Sequence, residues 1–182
     1  MNHEMNWSLR PARMADVPAL AELIPLSART LLAPYYSTQQ IEAALGPIFG
    51  VDRQLIADGT FFAAEHAGVI RECGGWSKRK SLFGGDAARA AVDALLDPAA
   101  DFARIRAFFI HPDWSRRGLG KAILMACESA ILAAGFARAE LVATLGGEPL
   151  YRSCGYPEVE RRELSGVGGI TLTGVCMSTR LR

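Results

Sequence analysis

From Ala103 to Gly135 the chain passes without a break from an apolar run, ARIRAFFI, through a proline and a glycine-bearing turn, SRRGLGK, into a long helical stretch. No other feature restricts the fold as much. In Ala103–Ile110 the alternation of a half-buried strand gives way to continuous apolar character, the mark of a central strand covered on both faces. His111-Pro112 ends that strand. The helix predicted over Leu119 to Ala134 carries an apolar face at Ile123, Cys127, Ala130 and Ile131, and Gly135 stops it.

A strand that turns tightly into a helix leaves the helix's first amides without carbonyl partners. Their aligned dipoles add partial positive charge, which suits a phosphate. Gly118 and Gly120 let phosphate oxygens approach the backbone, while Arg116, Arg117 and Lys121 add positive charge. The expected ligand is a cofactor bearing a pyrophosphate. The turn is not a nucleoside-triphosphate loop, because Ala122 follows Gly120-Lys121 and Ser115 stands where the first glycine belongs. It is not the dinucleotide fingerprint either, since the third glycine would have to be Ile123.

The remaining elements are arranged around this unit. Ser8–Arg13 reads as a short strand. A helix follows from Asp16, with Asp16 as cap, Pro18 in its first turn and Pro25 expected to kink or divide it. Thr38–Leu45 reads as a second helix capped by Thr38. Strands are predicted at Thr60–His66 and Val69–Trp76, around an Ala67-Gly68 turn. After the polar stretch Ser77–Asp86 comes a small helix, Ala87–Leu96. Ala139–Leu145 is a strand and Glu148–Cys154 a short helix. Strands near Glu158–Leu164 and Ile170–Leu181 flank a turn at Gly166–Gly169. This order describes a mixed α/β (α+β) single domain over residues 1–182, built on one central sheet.

Twenty Lys and Arg against nineteen Asp and Glu give a formal charge of +1, which argues against nucleic acid as an obligate partner. Cys73, Cys127, Cys154 and Cys176 lie far apart and read as reduced, packed thiols. With only His3, His66 and His111 beside them, no metal site is expected. There is no membrane-length apolar run and no secretory leader pattern, so the expectation is a soluble, cytoplasmic protein without membrane partners.

Two stretches resemble one known family. IRAFFIHPDWSRRGLGKAIL, Ile105–Leu124, resembles the acetyl-CoA-binding segment of the GNAT N-acetyltransferases. That family places Gln or Arg, two residues, Gly, one residue and Gly or Ala at the start of its central helix. Gly118 and Gly120 match, and Ser115 stands at the Gln/Arg position with Arg116 and Arg117 after it. GEPLYRSCGY, Gly147–Tyr156, resembles the family's later short helix, with Tyr151 at its tyrosine and Gly155-Tyr156 as the closing pair.

The resemblance implies a mostly antiparallel twisted sheet, splayed between its fourth and fifth strands and flanked by helices. It implies acetyl-CoA as co-substrate, held by Phe109, Ile110, Ser115, Arg116, Arg117, Gly118, Leu119, Gly120 and Lys121. Tyr151 is then the catalytic residue, protonating the departing thiolate. The implied acceptor is a primary amine on a small molecule or a protein. It attacks the thioester directly, while a backbone N–H at a bulge in the fourth strand stabilises the oxyanion. Glu65, Glu72, His111 or a water chain are alternative routes for the amine proton. A non-catalytic acyl-CoA-binding or sensing domain is the alternative reading on the same fold. Ser77–Phe102 is expected to wall or cover the acceptor site. The Ile170–Leu181 strand is expected to offer an edge for a homodimer.

Overall fold

The computed structural model describes residues 6–88 and 93–182. Its strands are β1 (Ser8–Pro11), β2 (Phe61–His66), β3 (Val69–Ser77), β4 (Ala103–Ile110), β5 (Arg138–Thr144), β6 (Glu158–Ser165) and β7 (Thr171–Arg180). They form one sheet in the order β1-β2-β3-β4-β5-β7-β6. All neighbours are antiparallel except β4 and β5. The β4–β5 register holds only at Ala103↔Ala139 and Arg104↔Glu140, beyond which the two strands part.

The parting has a local cause. On the β3 side, Arg106 pairs with Gly75 and Phe109 with Cys73, so β4 spends one more residue than β3 over the same span. This is a bulge, and Ala107 within it takes φ 59°. Gly74 lies opposite. A Cβ there would stand 2.7 Å from Cδ2 of Phe108, so glycine is the residue that lets the displaced ring lie flat on β3.

Helices α1 (Val17–Leu31), α2 (Thr38–Ala44) and α3 (Arg53–Ala57) belong to one face. There α1 buries Leu20, Leu23 and Ile24 in a core shared with Ile41, Leu55 and Phe61. Helix α4 (Leu119–Ala133) covers the other face, packing Ile123, Cys127 and Ile131 with Trp76, Ile105 and Leu141. The short α5 (Glu148–Ser153) follows β5.

Several expectations need correction. Of the kink or division expected at Pro25, the division does not occur, because helix α1 runs through it as one element. The carbonyl that Pro25 cannot bond belongs to Ala21, on the exposed side of the helix, where water can satisfy it. The cap of α2 is Ser37, not Thr38. Its Oγ accepts from the Gln40 amide at 3.1 Å while the Gln40 side chain accepts from the Ser37 amide at 3.0 Å. Helix α3 has no counterpart in the sequence reading, being short and held by Asp52, which accepts from the Gln54 and Leu55 amides. Of the helix expected over 87–96, residues 89–92 lie outside the described residues. Its start is a 3₁₀ turn, Asp86–Ala88, and Leu95 forms an antiparallel bridge with Arg79.

The expected dimer edge is also displaced. The hairpin through Gly166–Gly169 folds β7 inward, between β5 and β6, so β7 has a partner on each side. The edge on that side is β6, EVERRELS, whose side chains are charged and largely exposed. Such a strand discourages pairing with another chain. Among the described residues, no helix is long and apolar enough to cross a membrane, and no group of three His, Cys, Asp or Glu side chains is placed to hold a metal ion.

Candidate functional site

Where β4 and β5 diverge, a cleft of about 680 Å³ opens between them and is lined by both strands, α1, α4 and α5. The sequence singled out Phe109, Ile110, Ser115, Arg116, Gly118, Leu119, Gly120, Lys121 and Tyr151, and all nine line it. Arg117 does not. Its guanidinium lies over the Trp114 ring, 5.1 Å from the centroid, with Arg71 at 5.5 Å.

One end of the cleft is made of backbone. Arg116 at φ 61° and Gly118 at φ 85° turn the chain sharply into α4, with Gly118 as the cap. The Ala122 amide is the first to bond back, to the Gly118 carbonyl at 3.1 Å. The amides of Leu119, Gly120 and Lys121 therefore have no carbonyl one turn behind them. The exposed side chains of Arg116 and Lys121 stand beside them. This donor set, with its positive charge and helix dipole, fits a pyrophosphate.

Beneath this turn sits an acidic group. Glu72, on β3, is 3% exposed, and its Oε2 has no hydrogen-bond partner among the described residues. A Cβ at Gly120 would stand 3.1 Å from Glu72 Oε1 and 3.0 Å from Leu150 Cδ2, so glycine lets the first turn of α4 close over the carboxyl. Burial pushes the Glu72 carboxyl up to about 8. At neutral pH the group keeps its proton, and the turn above it faces no buried negative charge. The other candidates for taking a proton lie outside the cleft lining. Glu65 accepts from Arg10 at 2.8 Å, and His111 Nδ1 accepts from the Asp113 amide at 3.3 Å.

Tyr151 stands midway. Helix α5 holds it in edge-on contact with Phe108, 5.8 Å between centroids, and with Tyr156 at 6.3 Å. Tyr156 is fixed in turn, buried and donating to Glu128 at 2.9 Å. The hydroxyl of Tyr151 makes no hydrogen bond among the described residues. Its phenol is raised above the ordinary range, first by burial and then by the charge of Glu72 when ionised. The phenol therefore stays protonated at neutral pH and is a weaker acid than a free tyrosine. Cys154, half-buried and three residues on, does not line the cleft.

The other end is made of side chains from distant segments. Tyr36, just beyond α1, donates to the Thr173 carbonyl at 2.7 Å and accepts from the Leu145 amide at 2.8 Å, tying three elements together. Phe49 packs edge-on against Phe109 at 5.9 Å. Ser27 Oγ accepts from the Ile110 amide at 3.1 Å, on the side of β4 that β5 has vacated. The stretch after β3 contributes Leu82, Phe83 and Gly84 to the wall. It is anchored by Arg106, which donates to the Ser81 and Gly84 carbonyls and pairs with buried Asp52 at 3.0 Å. Of the basic run Lys78–Lys80, Arg79 is committed to Asp58 at 2.7 Å. Ser27, Tyr36, Phe49 and Phe83 carry no local signal as site residues, and Glu72 is a candidate from sequence by residue type alone. Nothing in their spacing relates them, and only the folded sheet brings them together.

Comparison with known proteins bears on the family and the fold. The Acetyltransferase (GNAT) domain family matches residues 57–158. No curated protein matches the chain significantly. Among solved structures, a GCN5-related N-acetyltransferase from Rhodopseudomonas palustris is 23% identical with a TM-score of 0.71, over 96% of this chain and 95% of that one. A PaiA N-acetyltransferase from Thermoplasma acidophilum, solved with coenzyme A, is 13% identical with a TM-score of 0.65, over 97% and 99% of the two chains. Ard1 from Thermoplasma volcanium is 15% identical with a TM-score of 0.62, over 97% and 98%.

Proposed function

Because the chain belongs to the GNAT acetyltransferase family, we propose that it binds acetyl-CoA in the β4–β5 cleft and transfers the acetyl group to a primary amine. The observation that carries this reading is the continuity of one cleft from the α4 turn, past the β4 bulge, to Tyr151. The co-substrate supplies an acetyl group activated as a thioester. The amides of Leu119, Gly120 and Lys121, with the side chains of Arg116 and Lys121, hold its pyrophosphate. Ser115 adds a hydroxyl donor where the family pattern has Gln or Arg. Phe109 and Ile110 border its pantetheine arm along the vacated edge of β4.

Direct transfer needs no covalent enzyme intermediate. The amine nitrogen bonds the acetyl carbonyl carbon, the carbon–sulfur bond breaks, and the electron pair leaves on sulfur. Tyr151 gives its proton to that sulfur, and the surplus proton on nitrogen returns through water to the phenol. Ala107 and Phe108 have no partner in the β3 register, and a backbone amide at this bulge faces the charge that builds on the carbonyl oxygen. Positioning supplies much of the acceleration.

The test is acceptor-dependent release of free thiol from acetyl-CoA across a panel of primary amines. Turnover with at least one amine, accompanied by its N-acetyl product, supports the reading. Saturable binding of acetyl-CoA with no turnover on any amine would instead identify a binding or sensing domain.

A further inference from the structure

Building on the transferase reading above, we infer that the acceptor is a small apolar primary amine, an arylalkylamine in chemical class, rather than a polyamine, an amino acid or an aminosugar. The inference rests on what the acceptor end of the cleft offers and on what it withholds.

The end away from the α4 turn is walled by aliphatic and aromatic side chains: Leu32, Tyr35, Phe49, Phe83, Leu164 and Leu172. Two of these rings meet solvent, Tyr35 at 48% and Phe83 at 38% exposure. Half-exposed rings on an apolar cleft are surfaces against which a flat hydrophobic ligand gains by stacking. Tyr35 is held in place because Gly146 has no side chain. A Cβ there would stand 3.0 Å from Tyr35 Cε2. Phe83 stands in the stretch that Arg106 ties down through the Ser81 and Gly84 carbonyls, so this wall is preformed.

Charge is the second observation. Among the described residues that line the cleft, Glu72 is the one with a carboxyl group, and it lies under Gly120 at the opposite end; Glu163, beside the acceptor end on β6, stands outside the lining and is engaged by Thr173 Oγ1 at 2.6 Å. A polyamine or aminosugar would bury a second ammonium without a counter-ion, which is costly. An amino acid would need a cation for its carboxylate. Arg106 is the cleft cation nearest that need, and it is already engaged by Asp52 and two carbonyls, while Arg116 and Lys121 belong to the α4 turn. Two hydroxyls at this end are engaged within the protein, Tyr36 by the Thr173 carbonyl and the Leu145 amide and Thr173 by Glu163.

An apolar amine also meets the chemical requirement. Moving an ammonium into this wall lowers its pKa, so more of the amine is neutral and nucleophilic where it meets the thioester. An apolar pocket thus supplies part of what a dedicated base would supply, in a site where Glu65 and His111 stand outside the lining.

The test pairs turnover with binding. Thiol release is measured for phenethylamine, tryptamine, putrescine, spermidine, glycine and glucosamine. Binding of the same amines to the protein–CoA complex is followed by calorimetry. The expected result is a kcat/KM for the arylalkylamines at least about 100-fold above that for the charged amines, the size of effect that an unpaired buried charge produces. Their binding should show a negative heat-capacity change, the mark of buried apolar surface. Phe83→Ala should lower arylalkylamine kcat/KM by about 10-fold, the loss of one stacked ring. Phe83→Glu should narrow the gap to putrescine. Position 83 lies on a partly exposed connection, so neither substitution opens a hole in the core.

Preference for a polyamine, an amino acid or an aminosugar overturns the inference and leaves the transferase reading intact. So does turnover confined to a peptide N-terminus. Absence of acetyl-CoA binding overturns the transferase reading first. Acetyl-CoA binding without turnover or binding of any amine identifies a binding or sensing domain and overturns the transferase reading together with the acceptor assignment.

Discussion

The two ends of the cleft are built on different principles. The α4 end is backbone: three consecutive amides, two left-handed residues and a glycine that lets the helix close over Glu72. The opposite end is side chains, gathered from α1, the residues after α2, the stretch after β3, and β6 and β7. A backbone site needs a particular turn and little else, so it tolerates change in most side chains and holds an invariant ligand part. A side-chain site is redefined by single substitutions. The division matches a transferase whose donor is fixed and whose acceptor varies among proteins of the same fold.

Four substitutions would break or sharpen this contrast. The largest effect is expected at the junction of the two ends. Tyr151→Phe should lower kcat by about 1,000-fold, within the range for loss of a positioned general acid, and leave acetyl-CoA affinity within about 2-fold. A rate that is unchanged across the pH range would remove the phenol from the mechanism. Next, Gly120→Asp places a side chain and a negative charge on the first turn of α4. Acetyl-CoA should bind about 100-fold more weakly, with circular dichroism confirming the fold.

The third test uses pH. Glu72 titrates near 8 when folded, against 4.5 for an ordinary Glu. As pH rises through 8 the carboxyl ionises beneath the site of the phosphates, and acetyl-CoA affinity should fall by about 10-fold between pH 7 and 9. Glu72→Gln should flatten that dependence. Stability follows the same sign. Between about pH 4.5 and 8 the folded chain holds a proton that the unfolded chain has released. Wild-type stability therefore declines across this window relative to Glu72→Gln, by about 4 kcal/mol at its upper end. Parallel urea titrations at pH 5 and pH 8 would read it. The smallest effect belongs to Lys121→Ala, about 3-fold in acetyl-CoA affinity, because an exposed cation beside fixed amides is screened by salt.

The same contrast explains what could be read from the sequence. Ala103–Ile110 and its turn into α4 were legible because their signals are local: an apolar run, a proline, two glycines and a helical period. Tyr151 was legible through the stretch around it. The acceptor end was not. Phe49 and Phe109 lie sixty residues apart in sequence and meet only after β4 reaches the centre of the sheet. Glu72 was one of three acids and bases open to a proton role, and only its placement under Gly120 separates it from Glu65. The edge assigned to Ile170–Leu181 failed for a similar reason. Strand order within a sheet is a long-range property, and the hairpin that folds β7 inside β6 leaves no local mark.

The central claim is that the α4 turn and the splayed strands form a site for acetyl-CoA. Calorimetric titration of the purified protein with acetyl-CoA, with ATP and NAD as controls, tests it most directly. The account predicts saturable one-to-one binding of acetyl-CoA that neither nucleotide reproduces. A folded sample that shows no such binding, or that binds the nucleotides equally well, would contradict it.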